Sequence, residues 1–237
     1  MSGRYITTLG HDWESLPLRM STIPQRLKVA GYSTHFVGKW HLGNQHISEW
    51  PMRKGFDTSL GFHCRGIHGF KWTCLSPGVG VGVHDVTDII RNDSIIYPAT
   101  DPYTAWKHDT TFDSSILEDY DAMLSSLKNN NWSTHKAQIQ AEEAKAVYYL
   151  DEFDSEIERI LRTTSNPFFL YYCHPMMRDG YPKAEHIEKA FNRNPTFFLD
   201  NACPWIDERI SNHNCSDYEV ALHLRSEASA VAADESI

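Results

Sequence analysis

Apolar residues recur at steps of four, three, four and three at Ala146, Leu150, Phe153, Ile157 and Ile160, opposite Glu142, Asp151, Glu152, Glu156 and Arg159. That rhythm predicts one amphipathic helix over 137–163, stopped by Asn166-Pro167. The unbroken apolar run Phe168-Phe169-Leu170-Tyr171-Tyr172-Cys173 then predicts a buried strand. An earlier block repeats the order. Ser21 or Thr22 can cap a short helix with Pro24 in its first turn and Gly31 at its end, enclosing Gln25-Arg26-Leu27-Lys28-Val29-Ala30. Tyr32-Ser33-Thr34-His35-Phe36-Val37-Gly38, rich in aromatic and β-branched residues, predicts the strand it feeds. Helix feeding strand is the repeating step of an α/β sheet.

Between and after these blocks the pattern is weaker. Residues 61–113 are rich in Gly, His and Pro, and predict irregular loops with one short strand around 86–90. The polar stretch 125–134, with Asn129-Asn130-Asn131, predicts a flexible turn. A helix through 185–191 follows Gly180, and the Ala-rich segment from Ser226 predicts a frayed helix or a poorly ordered tail over 226–237. No internal repeat is evident.

A chain of 237 residues with 41% hydrophobic and 22% charged residues has the composition of a globular domain or a piece of one. No apolar run approaches the roughly 20 residues of a membrane span. Met1-Ser2-Gly3-Arg4-Tyr5 shows no apolar core of a secretory signal. The net charge of −9 is uneven, with +5 on residues 1–78 and −14 on the rest. A basic segment in an acidic chain suits an anionic ligand bound there and argues against general nucleic-acid binding. The five cysteines, Cys64, Cys74, Cys173, Cys203 and Cys215, form no dense framework. Asn92-Asp93-Ser94, Asn131-Trp132-Ser133 and Asn214-Cys215-Ser216 fit the N-glycosylation acceptor pattern, which matters if the chain is secreted.

The chemistry concentrates in Gly38-Lys39-Trp40-His41-Leu42-Gly43, at the predicted carboxyl end of the first strand, where ligands of open α/β sheets bind. Residues two apart on a strand share a face, so Lys39 and His41 can reach one anion together while Trp40 packs the other way. A fixed ammonium and a nearby imidazole suit a ligand or reaction in which negative charge must be held and a proton given or taken. Three blocks, in order, resemble type I sulfatases, most closely the arylsulfatase B-like branch. They are Gly3-Arg4-Tyr5, the run from Leu16-Pro17-Leu18 through Val37-Gly38-Lys39-Trp40-His41-Leu42-Gly43, and Arg53-Lys54-Gly55-Phe56-Asp57 with Leu60-Gly61-Phe62. The resemblance is strongest over 3–62 and continues weakly to about residue 212.

The resemblance implies an alkaline-phosphatase-like α/β sandwich with a mixed β-sheet flanked by helices, present here as a partial catalytic domain over 1–225. It implies hydrolysis of sulfuric esters, with a sulfated small molecule or glycan as partner and a lysosomal, secreted or extracellular location. In the family, calcium and a formylglycine made from the Cys of a Cys-x-Pro-Ser-Arg motif complete the site. None of the five cysteines here sits in that motif. The resemblance assigns sulfate binding and catalysis to Lys39 and His41, places His68 at the substrate pocket, and puts Arg178 where the family has a catalytic His. Arg can bind sulfate but cannot relay a proton at neutral pH, and His174 is the nearby substitute. Asp200 and Asn201 are the lesser candidates for calcium, since Ile206-Asp207-Glu208-Arg209-Ile210-Ser211-Asn212 aligns with a family helix that precedes its metal pair. His63, Cys64, His68 and Cys74 fit no standard zinc spacing. Three readings follow: a truncated sulfatase inactive alone, a non-catalytic relative that binds sulfated or phosphorylated ligands, or a non-functional fragment that cannot close its sheet.

Overall fold

The computed structural model describes residues 16–17, 19–43, 46–63, 70, 88–96, 114–175, 182–200 and 216–235. In chain order these form α1 (Ile23–Val29), β1 (Ser33–Lys39), β2 (Thr58–Phe62), β3 (Ile90–Arg91), β4 (Ser94–Ile95), α2 (Tyr120–Lys128), α3 (Trp132–Glu143), α4 (Tyr149–Thr163), β5 (Phe168–Cys173), α5 (Ala184–Arg193), α6 (Pro195–Leu199) and α7 (Asp217–Glu235). Short 3-10 turns cover Ile47–Glu49, Pro51–Lys54 and Ser114–Leu117. The chain divides into two compact units, Met1–Ala105 with Tyr149–Pro175, and Trp106–Tyr148 with Met176–Ile237.

The first unit holds the sheet. Thr22 caps α1 in a capping box with Gln25, Pro24 occupies the first turn, and Gly31 leaves the helix with φ 87°. Tyr32 N–H then donates back to Leu27 O at 3.0 Å, and the chain turns directly into β1. Asp57 ties the entry together: it accepts from Thr34 N–H at 2.9 Å and pairs with Lys28 Nζ at 2.6 Å. The strands run in the order β4-β3-β2-β1-β5. β1 is parallel to both β2 and β5, whereas β3 is antiparallel to β2 and β4 to β3. Asn92 and Asp93, with φ 47° and 67°, form the tight β3–β4 turn that such positive angles favour. The α/β class, with a mixed sheet flanked by helices, is as the sequence predicts.

Alternation along β1 separates two apolar faces. On one, Phe36 packs on Trp40 (ring centroids 5.1 Å apart), Phe56 (5.6 Å) and Tyr171 (6.1 Å). On the other, Phe62 meets Tyr149 and Phe153 of α4, each at 6.5 Å, beside fully buried Val37 and Leu60. β5 departs from expectation. It stands at the end of the strand order, and Phe168 is 39% exposed with the rest of the strand half-buried, because a strand at the sheet's edge is covered less than one between two neighbours.

The second unit is helical. Asp119 caps α2 by accepting from Ala122 N–H at 2.9 Å. The expected turn over 125–134 shrinks to Asn129-Asn130-Asn131, with Asn130 at φ 58°, because α2 runs on to Lys128 and α3 starts at Trp132. The single helix expected over 137–163 is two. α3 ends at Glu143, where Lys145 and Ala146 N–H tighten onto Glu142 and Glu143 O, and Tyr148 is buried under Lys183 Nζ. α4 begins only at Tyr149. Residues 226–235, expected as a frayed helix or a poorly ordered tail, are the second half of α7, with Ala228, Val231 and Ala232 buried. Lys189 of α5 grips Glu235 at 2.8 Å, and Lys128 of α2 meets Asp217 at the same distance.

Candidate functional site

Three parallel strands end side by side, and each delivers a titratable residue at its carboxyl end. In register, Lys39 of β1 faces Phe62 of β2, and Gly38 faces Cys173 of β5. His41, His63 and His174 lie just beyond these termini. This is the edge where ligands of open α/β sheets are bound.

Lys39 is the last residue of β1 and is half-buried. Trp40 is anchored: it is 2% exposed, and its Nε1–H donates to Glu49 O at 2.9 Å. Its backbone N–H donates to Phe62 O at 2.8 Å, holding the exit of β1 against the end of β2. The strand alternation stops at Lys39, since His41 has φ 38°, in the left-handed region. His41 is therefore placed by a turn rather than by the two-residue period of a strand. Leu42 O accepts from Leu16 N–H at 2.9 Å, and Lys54, itself 1% exposed, donates from Nζ to Leu16 O at 2.9 Å. A buried ammonium thus clamps the Leu16 segment that braces the Lys39–Gly43 turn. Burial pushes the Lys54 ammonium down, and Glu49 works against that.

Glycine makes the close approach possible. A β-carbon on Gly38 would lie 2.1 Å from Cys173 O, and one on Gly61 would lie 1.9 Å from Gly38 O. Beside this contact, burial pushes the Cys173 thiol up, while the Lys39 ammonium and a hydrogen bond with Tyr171 pull it back. Lys39 is therefore electrostatically close to the end of β5. Burial holds His174 below its ordinary range, with its ring packed on Tyr172 at 5.2 Å. His63 is 5% exposed, stacks near Trp50 at 4.9 Å, and donates from its backbone N–H to Asp88 at 2.8 Å. Burial lowers it too, with Asp88 and Asp93 opposing. Burial thus favours the neutral imidazole at His63 and His174.

Sequence reasoning singled out Lys39 and His41, and the structure sets them at this edge. His63 appears there only as a member of the zinc cluster, although it directly follows the Leu60-Gly61-Phe62 block, which was the available signal. Cys173 gave none, because its position depends on β5 pairing with β1. His68, Arg178, Asn201, Cys64 and Cys74 lie outside the described residues. Asp200 follows α6, a short helix rather than a strand, as its C-terminal cap. Among the described residues no three His, Cys, Asp or Glu side chains converge as a metal site. No helix among them is long and apolar enough to cross a membrane.

No family model matches the chain. A stretch of 65 residues is 49% identical to Arylsulfatase J of Mus musculus, covering 27% of this chain and 11% of that protein. Arylsulfatase G of Homo sapiens is 43% identical over 56 residues, 24% of this chain and 10% of its own length. The chain thus spans about a tenth of the curated relatives it matches. Among solved structures, Ps i-CgsB in complex with k-i-k-neocarrahexaose aligns over 99% of this chain and 42% of its own, at 17% identity and a TM-score of 0.47.

Proposed function

We propose, from the stretch similar to Arylsulfatases J and G, that the strand-end edge is the sulfate-binding part of a sulfuric ester hydrolase acting on a sulfated small molecule or glycan. The observation that supports this is the position of Lys39. It closes β1 beside the ends of β2 and β5, with His41 two residues on, in the block that resembles the family's sulfate-binding residues. Lys39 supplies fixed positive charge to the sulfuryl oxygens, and His41 holds or gives a proton near the ester oxygen. His68 and Arg178 belong to the same reading, as pocket residue and second cation. The relatives' names make an aryl sulfate the natural assay substrate, and the resemblance to the sulfatase family supports a lysosomal or secreted location.

The family's calcium and formylglycine do not fit the residues present. Asp200 caps a short helix, no acidic partners group around it among the described residues, and Asn201 adds an amide oxygen only. Cys173 precedes Pro175 by two, but Met176 and Met177 stand where the motif has Ser and Arg. The contribution of this chain is anion binding and proton handling.

Two measurements test the reading. Calorimetric titration with a sulfated oligosaccharide should give heat that weakens as salt rises, and Lys39→Ala should reduce the affinity about tenfold or more. No binding at low ionic strength, or equal affinity for the desulfated sugar, would overturn it. The 237 residues alone should not turn over 4-nitrophenyl sulfate, for want of the nucleophile motif. Turnover that disappears in Lys39→Ala would show that another nucleophile in this chain serves.

A further inference from the structure

Of the three Asn-x-Ser triplets, the structure distinguishes two. Asn92 opens the β3–β4 turn at φ 47°, and its Oδ1 accepts from Ser59 N–H at 2.7 Å. That carboxamide completes the sheet, and the next residue, Asp93, is held by Arg53 at 3.0 Å. Asn214 lies outside the described residues.

Asn131 has a different setting. It is exposed at the end of the three-residue turn between α2 and α3, and its side chain makes no capping bond to α3. Its backbone is held from both sides: its N–H donates to Ser126 O at 2.9 Å, and its C=O accepts from His135 N–H at 3.3 Å. Ser133 is exposed as well, while Trp132 between them is buried at 8%. The acceptor amide and the required hydroxyl are thus both open to solvent on a backbone fixed by the intervening indole. Beside Asn131 opens a cleft of about 520 Å³, lined by Ser125, Asn129, Thr134, His135 and Gln138 among others. The lining offers hydroxyls, carboxamides and an imidazole, with no carboxylate, lysine or arginine. Such a surface suits a neutral ligand bearing hydroxyl and acetamido groups, not a sulfate.

We propose that Asn131 is an N-glycosylation site and that the first N-acetylglucosamine units of its glycan lie along the α2–α3 cleft. The inference rests on the secretory or lysosomal route adopted under the proposed function. The donor is a lipid diphosphate-linked oligosaccharide, presented by the membrane transferase of that route. Asn131 Nδ2 bonds to the anomeric carbon as the carbon–oxygen bond to the diphosphate breaks. The lipid diphosphate leaves, and one amide proton passes to a base of the transferase.

The test is translation of the full chain behind a cleavable leader in the presence of microsomes. Leader removal and protease protection identify translocated chain, and peptide N-glycosidase identifies glycan. Translocated wild-type chain and Asn92→Gln should both shift on glycosidase treatment, and release in heavy-oxygen water should mark position 131. Asn131→Gln and Ser133→Ala should each lose that mark. If the sugars occupy the cleft, release from native protein should be at least tenfold slower than from denatured protein. Translocated chain without a mark at 131, or with glycan confined to Asn92 or Asn214, would overturn the site; equal release rates would remove the sugars from the cleft. Failure of the sulfated-sugar titration would instead strike the Lys39 reading and leave these outcomes readable.

Discussion

Gly31 and Gly38 share a left-handed backbone, with φ 87° and 110°, but their surroundings differ. A β-carbon on Gly31 meets nothing within 4 Å, whereas on Gly38 it strikes Cys173 O. Gly31→Ala should therefore cost only the conformational strain, about 1 kcal/mol in a denaturant melt. Gly38→Ala adds forced separation of β1 from β5 and should cost about 3 kcal/mol or more. Equal losses would mean that the strand contact relaxes freely. Glu156 offers a second residue-scale test. Burial alone would push its carboxyl up, but hydrogen bonds from Arg159 and Arg91 outweigh that and hold it below its ordinary 4.5. A depressed carboxylate contributes stability that is present above pH 4.5 and lost as pH falls through the folded value. Glu156→Gln should flatten that acid limb and cost about 1–3 kcal/mol at neutral pH. The helical period placed Glu156 on the polar face, and its partner Arg91 was invisible because the β3–β4 hairpin brings it there from another part of the chain. Lys39 was legible from its neighbours in sequence; the reason for Gly38 was not, since it lies in a strand pairing with distant residues.

Among elements, α4 shows what periodicity can and cannot fix. Leu150, Phe153 and Ile160 are buried as their spacing requires. The same spacing extended one turn back to Ala146 and joined two helices, because a tightened turn at 144–148 leaves the rhythm nearly in phase. Phe153 is fully buried and stacks on Phe62, so Phe153→Ala should cost about 3–5 kcal/mol, read by chemical denaturation. α7 was less legible still. Its Ala-rich composition lacks a clear amphipathic stripe, yet small residues at Ala228 and Ala232 are what let it lie close among its neighbours. Deleting residues 226–237 should lower the melting temperature of the helical unit by several degrees and expose apolar surface to dye. An unchanged melt would return the segment to the status of a tail.

At the scale of the whole molecule, several buried imidazoles set a shared response to acid. Burial lowers both His35 and His63 below their ordinary 6.5, with nearby Asp57 opposing at the first and Asp88 at the second. The unfolded chain takes up protons near pH 6.5 while the folded chain does not. Stability is therefore full above that value and falls as pH drops toward the folded values. His63→Asn should reduce that slope in melts between pH 7 and 5, and an unaltered slope would acquit His63. The sheet unit is also discontinuous in sequence, made of Met1–Ala105 and Tyr149–Pro175 with part of the helical unit between. β1 meets β2 early, but its other partner, β5, starts only at Phe168. At about 5–20 residues per second of synthesis, the central strand must wait on the order of ten seconds on the ribosome with one flank bare. During that interval its aromatic residues are open to chaperones or to a strand from another nascent chain, so translation speed through this stretch governs how much of the protein is made well.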